Sequence, residues 1–270
     1  IGLGGFLGPS LGGLLGEVDV AAWTHGVHIR FDSFSVPFFA AALLALLAFV
    51  PLHRLPEARR SSGSPDATGA ESVSWHDLVD KLFAILAMAA IGQAGLAIFE
   101  TTFALHARLT LRYGLREVGA VFATCGGVMI TMQIAVVGRV ARRVGKIGLL
   151  VSGLIVMGIG IANLAWAQQR TVVFGSVALI GLGASLWMPS LSTLASAKGQ
   201  AHTGAALGLQ NAAGSAGQIA GPLVGAALFA WYMPAAYLVA GAMPVLLAVF
   251  LGGASAMRSR RARAHNPMSR

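Results

Sequence analysis

The chain has 270 residues, 56% of them hydrophobic and only 11% charged, with a formal net charge of +9. Soluble domains carry about 25% charged residues, so a soluble globular enzyme, a disordered chain and a coiled coil are all excluded. Apolar runs of near-spanning length account for the whole composition, which makes this an all-α polytopic membrane protein.

Eight spans are expected, at about 1–17, 34–52, 82–105, 118–137, 147–167, 172–192, 205–230 and 234–252. In the first, Gly4, Gly8, Gly12 and Gly16 recur every four residues, with Pro9 and Gly13 beside them. Small residues at that spacing line one helix face and let a neighbouring backbone approach closely. The loop that follows holds His25, His28 and Asp32. It reads as solvated rather than metal-binding, because metal sites need converging ligands and a second shell. The second span opens at Pro37.

Residues 53–81 form the longest connection. Ser61, Ser62, Gly63, Ser64 and Pro65 mark a flexible cytoplasmic linker, and Trp75 marks a short surface helix at its end. The third span carries Glu100, the only acidic residue well inside an apolar run, with Gln93 and Phe103 on the same helix face. A charge in hydrocarbon is costly and usually faces a cavity or a partner; near a helix end it is simply solvated. Both readings of Glu100 stand. Gln133 and Asn163, isolated in the fourth and fifth spans, read as helix–helix contacts. The sole cysteine, Cys125, lies in an apolar run, so there is no intrachain disulfide.

Trp187 and Met188 precede Pro189 in the sixth span. Such side chains suit adaptable lipophilic substrates, or they fill the core. The seventh span sets Asn211, Ser215 and Gln218 at i, i+4 and i+7, with Gln210 as a fourth polar residue, beside Gly217, Gly221, Pro222 and Gly225. A polar stripe in a bundle lines a water-filled cavity or hydrogen-bonds between helices, and four polar side chains exceed what packing requires. The tail, 253–270, is basic through Arg258, Arg260, Arg261 and Arg263, which suits anionic lipid at a membrane surface. No basic patch interleaved with aromatics occurs, so no nucleic-acid partner is expected.

Of the 19 Lys and Arg residues, 14 fall on the side that holds the C-terminus, among them Lys81, Arg139, Arg142, Arg143, Lys146 and Lys198. Basic loops favour the cytoplasm, so that side is cytoplasmic. Gly8-Pro9 recurs 213 residues later as Gly221-Pro222, and each of these helices precedes one opening at a proline, Pro37 or Pro234. A two-fold repeat of six spans fits. Residues 82–252 then form the complete C-terminal half, and 1–52 supply the last two helices of the N-terminal half. The repeat leads to the expectation that four further spans precede residue 1.

At these residues the chain resembles the major facilitator superfamily, and within it the drug:proton antiporters. Their fifth helix carries G-x-x-x-G-P-x-x-G-G, which Gly4, Gly8, Pro9, Gly12 and Gly13 match in full. Their loop between helices eight and nine resembles Gly138 to Lys146 in its glycines, Gly138 and Gly145, and its basic Arg143 and Lys146, but Arg142 stands where the family often has an acid. The segment Glu100 to Leu105 looks like the family's seventh helix. The resemblance covers the whole chain as helices five to twelve, a partial major facilitator fold with eight transmembrane helices of an expected twelve.

The resemblance implies alternating-access export of small lipophilic or drug-like molecules in exchange for protons, in a bacterial-type inner membrane. It implies a gating role for Gly4 to Gly13, and it places the proton-coupling groups largely in the first four helices, so these residues alone are not expected to transport. A metabolite or sugar facilitator of the same superfamily is one alternative; a non-transporting scaffold or degenerate remnant is another. No phosphate-binding loop, H-E-x-x-H or G-x-S-x-G is present, so no enzyme activity, cofactor or metal is expected.

Overall fold

A computed structural model describes residues 36–49 and 75–265, and every described element is helical. The order is α1 (Val36–Phe49), α2 (Trp75–Leu109), α3 (Leu115–Met132), α4 (Gly138–Asn163), α5 (Arg170–Gly199), α6 (Thr203–Trp231) and α7 (Met233–His265). A π-helical turn, Gln133–Val137, joins α3 to α4, and 3-10 turns follow α4 and α5. Six described helices are long and apolar enough to cross a membrane: Trp75–Leu109, Leu115–Ala135, Gly145–Trp166, Arg170–Gly199, Thr203–Trp231 and Met233–Gly253. The first expected span, including Gly4, Gly8, Pro9, Gly12 and Gly13, lies outside the described residues, as do His25, His28, Asp32 and the linker up to residue 74. In α1 the large apolar side chains of Phe38, Leu43 and Leu46 are exposed.

Several helices outrun the expected spans. α2 has 35 residues; at about 1.5 Å per residue it is far longer than a hydrocarbon core of about 30 Å. Trp75 to Lys81, expected as a separate surface helix, is instead the first two turns of α2. No glycine or proline interrupts the chain before Gly92, and Leu78 and Leu82 already pack into the core. The helix of the last span likewise runs on into the basic tail, to His265. The stretch from Gly138 to Lys146, expected as a loop, is helical up to a break at Gly145, where φ is 77°. That left-handed conformation favours glycine, so one residue lets the chain bend while pairing resumes on both sides. Lys146 follows it on the exposed surface, while the Arg142 and Arg143 side chains lie outside the described residues.

α2 to α7 pack as one bundle. The closest pairings are α2 with α6, α4 with α5, and α4 with α7. The core is a continuous set of Leu, Ile, Met and aromatic side chains, among them Leu82, Phe99, Phe103, Leu154, Met157, Trp187 and Tyr237. Backbone-to-backbone approach is tightest where α6 crosses α2. A Cβ at Gly221 would lie 2.8 Å from the Ala94 carbonyl oxygen, one at Gly225 would lie 3.0 Å from Ile98, and one at Gly217 would run into the Ala90 carbonyl oxygen. Between helices that dispersion and packing must hold together in lipid, such contact is available only to small residues.

Candidate functional site

α2 and α6 position the polar residues, because the glycine seam fixes them side by side. On α6 the buried face is Gln210, Gly214, Gly217, Gly221 and Gly225. Asn211, Ser215 and Gln218 sit about a third of a turn away and are exposed. Alongside them, Ile219 and Leu223 are 70% and 71% exposed. Across the seam lies Gln93 of α2, whose Cγ is 3.3 Å from where a Gly214 Cβ would stand. One side of the α2–α6 pair therefore presents amide and hydroxyl groups among otherwise largely apolar residues.

Glu100 lies two turns beyond Gln93 on the same helix and is half-buried. Its neighbours Thr101 and Thr102 turn their hydroxyls back onto α2, donating to the carbonyls of Ala97 at 2.8 Å and Ile98 at 2.6 Å. Among the described residues, nothing forms a hydrogen bond or ion pair with the Glu100 carboxylate. Three or more metal-ligating side chains do not converge anywhere among the described residues.

Phe103 and Trp187, read from the sequence as possible lining residues, are instead core residues. Phe103 is wholly buried in an aromatic cluster, its ring centroid 5.7 Å from Phe99 and 5.9 Å from Phe122. Trp187 lies flat against Gly92 of α2, and its indole N–H donates to Met157 Sδ at 3.2 Å. Burying these large rings between helices removes them from the polar side. Met188 is half-buried against the same core. Gln210, counted among the polar residues of its span, points the other way: its Nε2 donates to Ser192 Oγ of α5 at 3.1 Å, and its Oε1 is buried without a partner. Asn163 makes its helix–helix contact, donating to Ser176 Oγ at 2.8 Å, whereas Gln133 is exposed in the π-helical turn.

Two polar assemblies escaped the sequence reading. His106 Nδ1 and the Tyr237 hydroxyl meet at 3.0 Å, both buried, and tie α2 to α7. A histidine inside an apolar run was the only signal for it. Arg170 at the start of α5 pairs with Glu117 near the start of α3. Their 53-residue separation hides the pairing.

Among the described residues, six membrane-length helices pack as one bundle with exposed polar side chains on one side, and the sequence matches known membrane proteins. The family model of the Major Facilitator Superfamily matches residues 1–202 and 136–268. The chain belongs to that family and is an integral membrane protein. It is similar to Multidrug resistance protein 1 of Bacillus subtilis (strain 168), 26% identical over 232 residues, covering 85% of this chain and 56% of the relative. It is also similar to the class G Tetracycline resistance protein of Vibrio anguillarum, 27% identical over 234 residues, covering 84% of this chain and 56% of the relative. The chain thus spans little more than half the length of these two relatives.

Proposed function

We propose that this chain forms the C-terminal part of a secondary transporter that exports small, lipophilic or drug-like molecules by alternating access, in exchange for protons. The observation that carries the reading is Glu100. A carboxylate with no partner among the described residues, half-buried in a membrane helix, is costly unless it binds a proton or a cation in a cavity. The exposed stripe of Asn211, Ser215 and Gln218 beside Gln93 supplies hydrogen-bonding groups on the same pair of helices. The names of the two relatives support a drug-like substrate, and the match of Gly4, Gly8, Pro9, Gly12 and Gly13 to the antiporter pattern supports exchange. The charge bias supports a cytoplasmic C-terminus in a bacterial-type inner membrane, its basic tail against anionic lipid.

Everted vesicles holding the full-length transporter of which this chain is the C-terminal part test this with ethidium as the probe and a pH-sensitive dye for the gradient. Ethidium accumulation should collapse with the proton gradient, and Glu100→Gln should lower it by at least about tenfold, a factor equal to 1.4 kcal/mol of lost interaction. Accumulation that ignores both the gradient and the Gln variant overturns the reading. Sugar uptake in place of ethidium transport points to a metabolite facilitator.

A further inference from the structure

At the end of the bundle away from Lys81 and Lys198, the starts of α3 and α5 form an open-mouthed cavity of about 280 Å³. Tyr113, Arg116, Glu117, Ala120, Arg170 and Phe174 line it. Glu117 is held in place by its own helix: one carboxylate oxygen accepts from the Gly114 backbone N–H at 2.8 Å, and the other accepts from the Arg170 guanidinium. The same guanidinium carbon sits 5.4 Å from the centroid of the Tyr113 ring. Tyr113 is 8% exposed, and its hydroxyl is buried without a hydrogen-bond partner.

A fixed carboxylate, an aromatic face and apolar walls from Ala120 and Phe174 are what a quaternary ammonium group needs. Here a side chain of the protein occupies that position. Arg170 is not locked there, since its side chain is 70% exposed, and an ion pair so open to water is weak. We propose that this cavity is a binding site for a small quaternary ammonium cation, which takes the place of the Arg170 guanidinium between Glu117 and Tyr113. The volume suits a head group, not a whole drug-sized molecule. Arg116 on the same wall repels a cation, so binding is weak in the wild type. The site is separate from Glu100 and the α6 stripe, and it does not depend on transport.

The test is equilibrium dialysis of radiolabelled tetramethylammonium against the protein in lipid nanodiscs. Removing the resident cation should tighten binding: Arg170→Ala and Arg170→Gln by about tenfold, the scale of one cation–π contact plus one exposed ion pair. Arg170→Lys should stay near wild type. Glu117→Gln keeps an oxygen for the Gly114 N–H and should abolish the gain when combined with Arg170→Gln. Two results overturn the proposal: neither neutral variant binds tetramethylammonium more tightly than wild type, or the gain survives Glu117→Gln. Retention of benzoate in place of tetramethylammonium overturns it too, since the cavity is then an anion site.

Discussion

The seam between α2 and α6 makes opposite demands on two glycines of one helix. At Gly217 an added Cβ would run into the Ala90 carbonyl oxygen and lie 2.9 Å from its carbon and 3.0 Å from the Ala94 nitrogen. All three are backbone atoms of a helix, so no flexible side chain can yield. At Gly208, two to three turns earlier, nothing lies within 4 Å. Replacing a mid-helix glycine by alanine gains about 0.5–1 kcal/mol from backbone entropy. Gly208→Ala should show that gain. Gly217→Ala adds an overpacking cost of about 1–3 kcal/mol, which reverses the sign. The two variants should therefore differ by about 1–3 kcal/mol, or several degrees in melting temperature at about 2–4 °C per kcal/mol for a chain of this size. Thermal unfolding in one detergent, followed by tryptophan fluorescence, measures the difference. Equal melting temperatures, or a more stable Gly217→Ala, would refute the reasoning that α6 lies directly on the α2 backbone.

Other sites give sharper local tests. A Gly92 Cβ would meet the six-membered ring of Trp187 at 2.9 Å, so Gly92→Ala should destabilise wild type but cost about 1 kcal/mol less in a Trp187→Phe background, as a double-mutant cycle reads out. Tyr237→Phe removes the hydroxyl that meets His106 and should cost about 1 kcal/mol, with a coupling of similar size to His106→Gln in a chemical-denaturation cycle. Gly145→Ala, at φ 77° and ψ 164° with open space around it, should cost about 1–3 kcal/mol from conformation alone, and Gly145→Asn should recover none of the loss in thermal unfolding, because that region is open essentially only to glycine.

The bundle was largely legible from composition. Six of the expected spans appear as membrane-length helices in the expected places, because length and apolarity are set by the bilayer and carried by every residue in the run. The ends were harder to place. Trp75 to Lys81 and the stretch from Ala254 to His265 are polar, yet they lack the glycine or proline that stops a helix.

Composition and spacing alone identify a polytopic helical protein with close glycine seams and a few costly polar groups. They could not determine which way those groups face. Through the membrane α2 and α7 are mostly apolar and carry no continuous polar stripe to show which face is packed. Only the tertiary structure puts Phe103 and Trp187 into the core, turns Gln210 toward Ser192 while Asn211, Ser215 and Gln218 stay outside, and brings His106 to Tyr237 across 131 residues. The physical reason is that spacing along one helix fixes relative angles, whereas the absolute orientation is set by the neighbours, and those are distant in the chain.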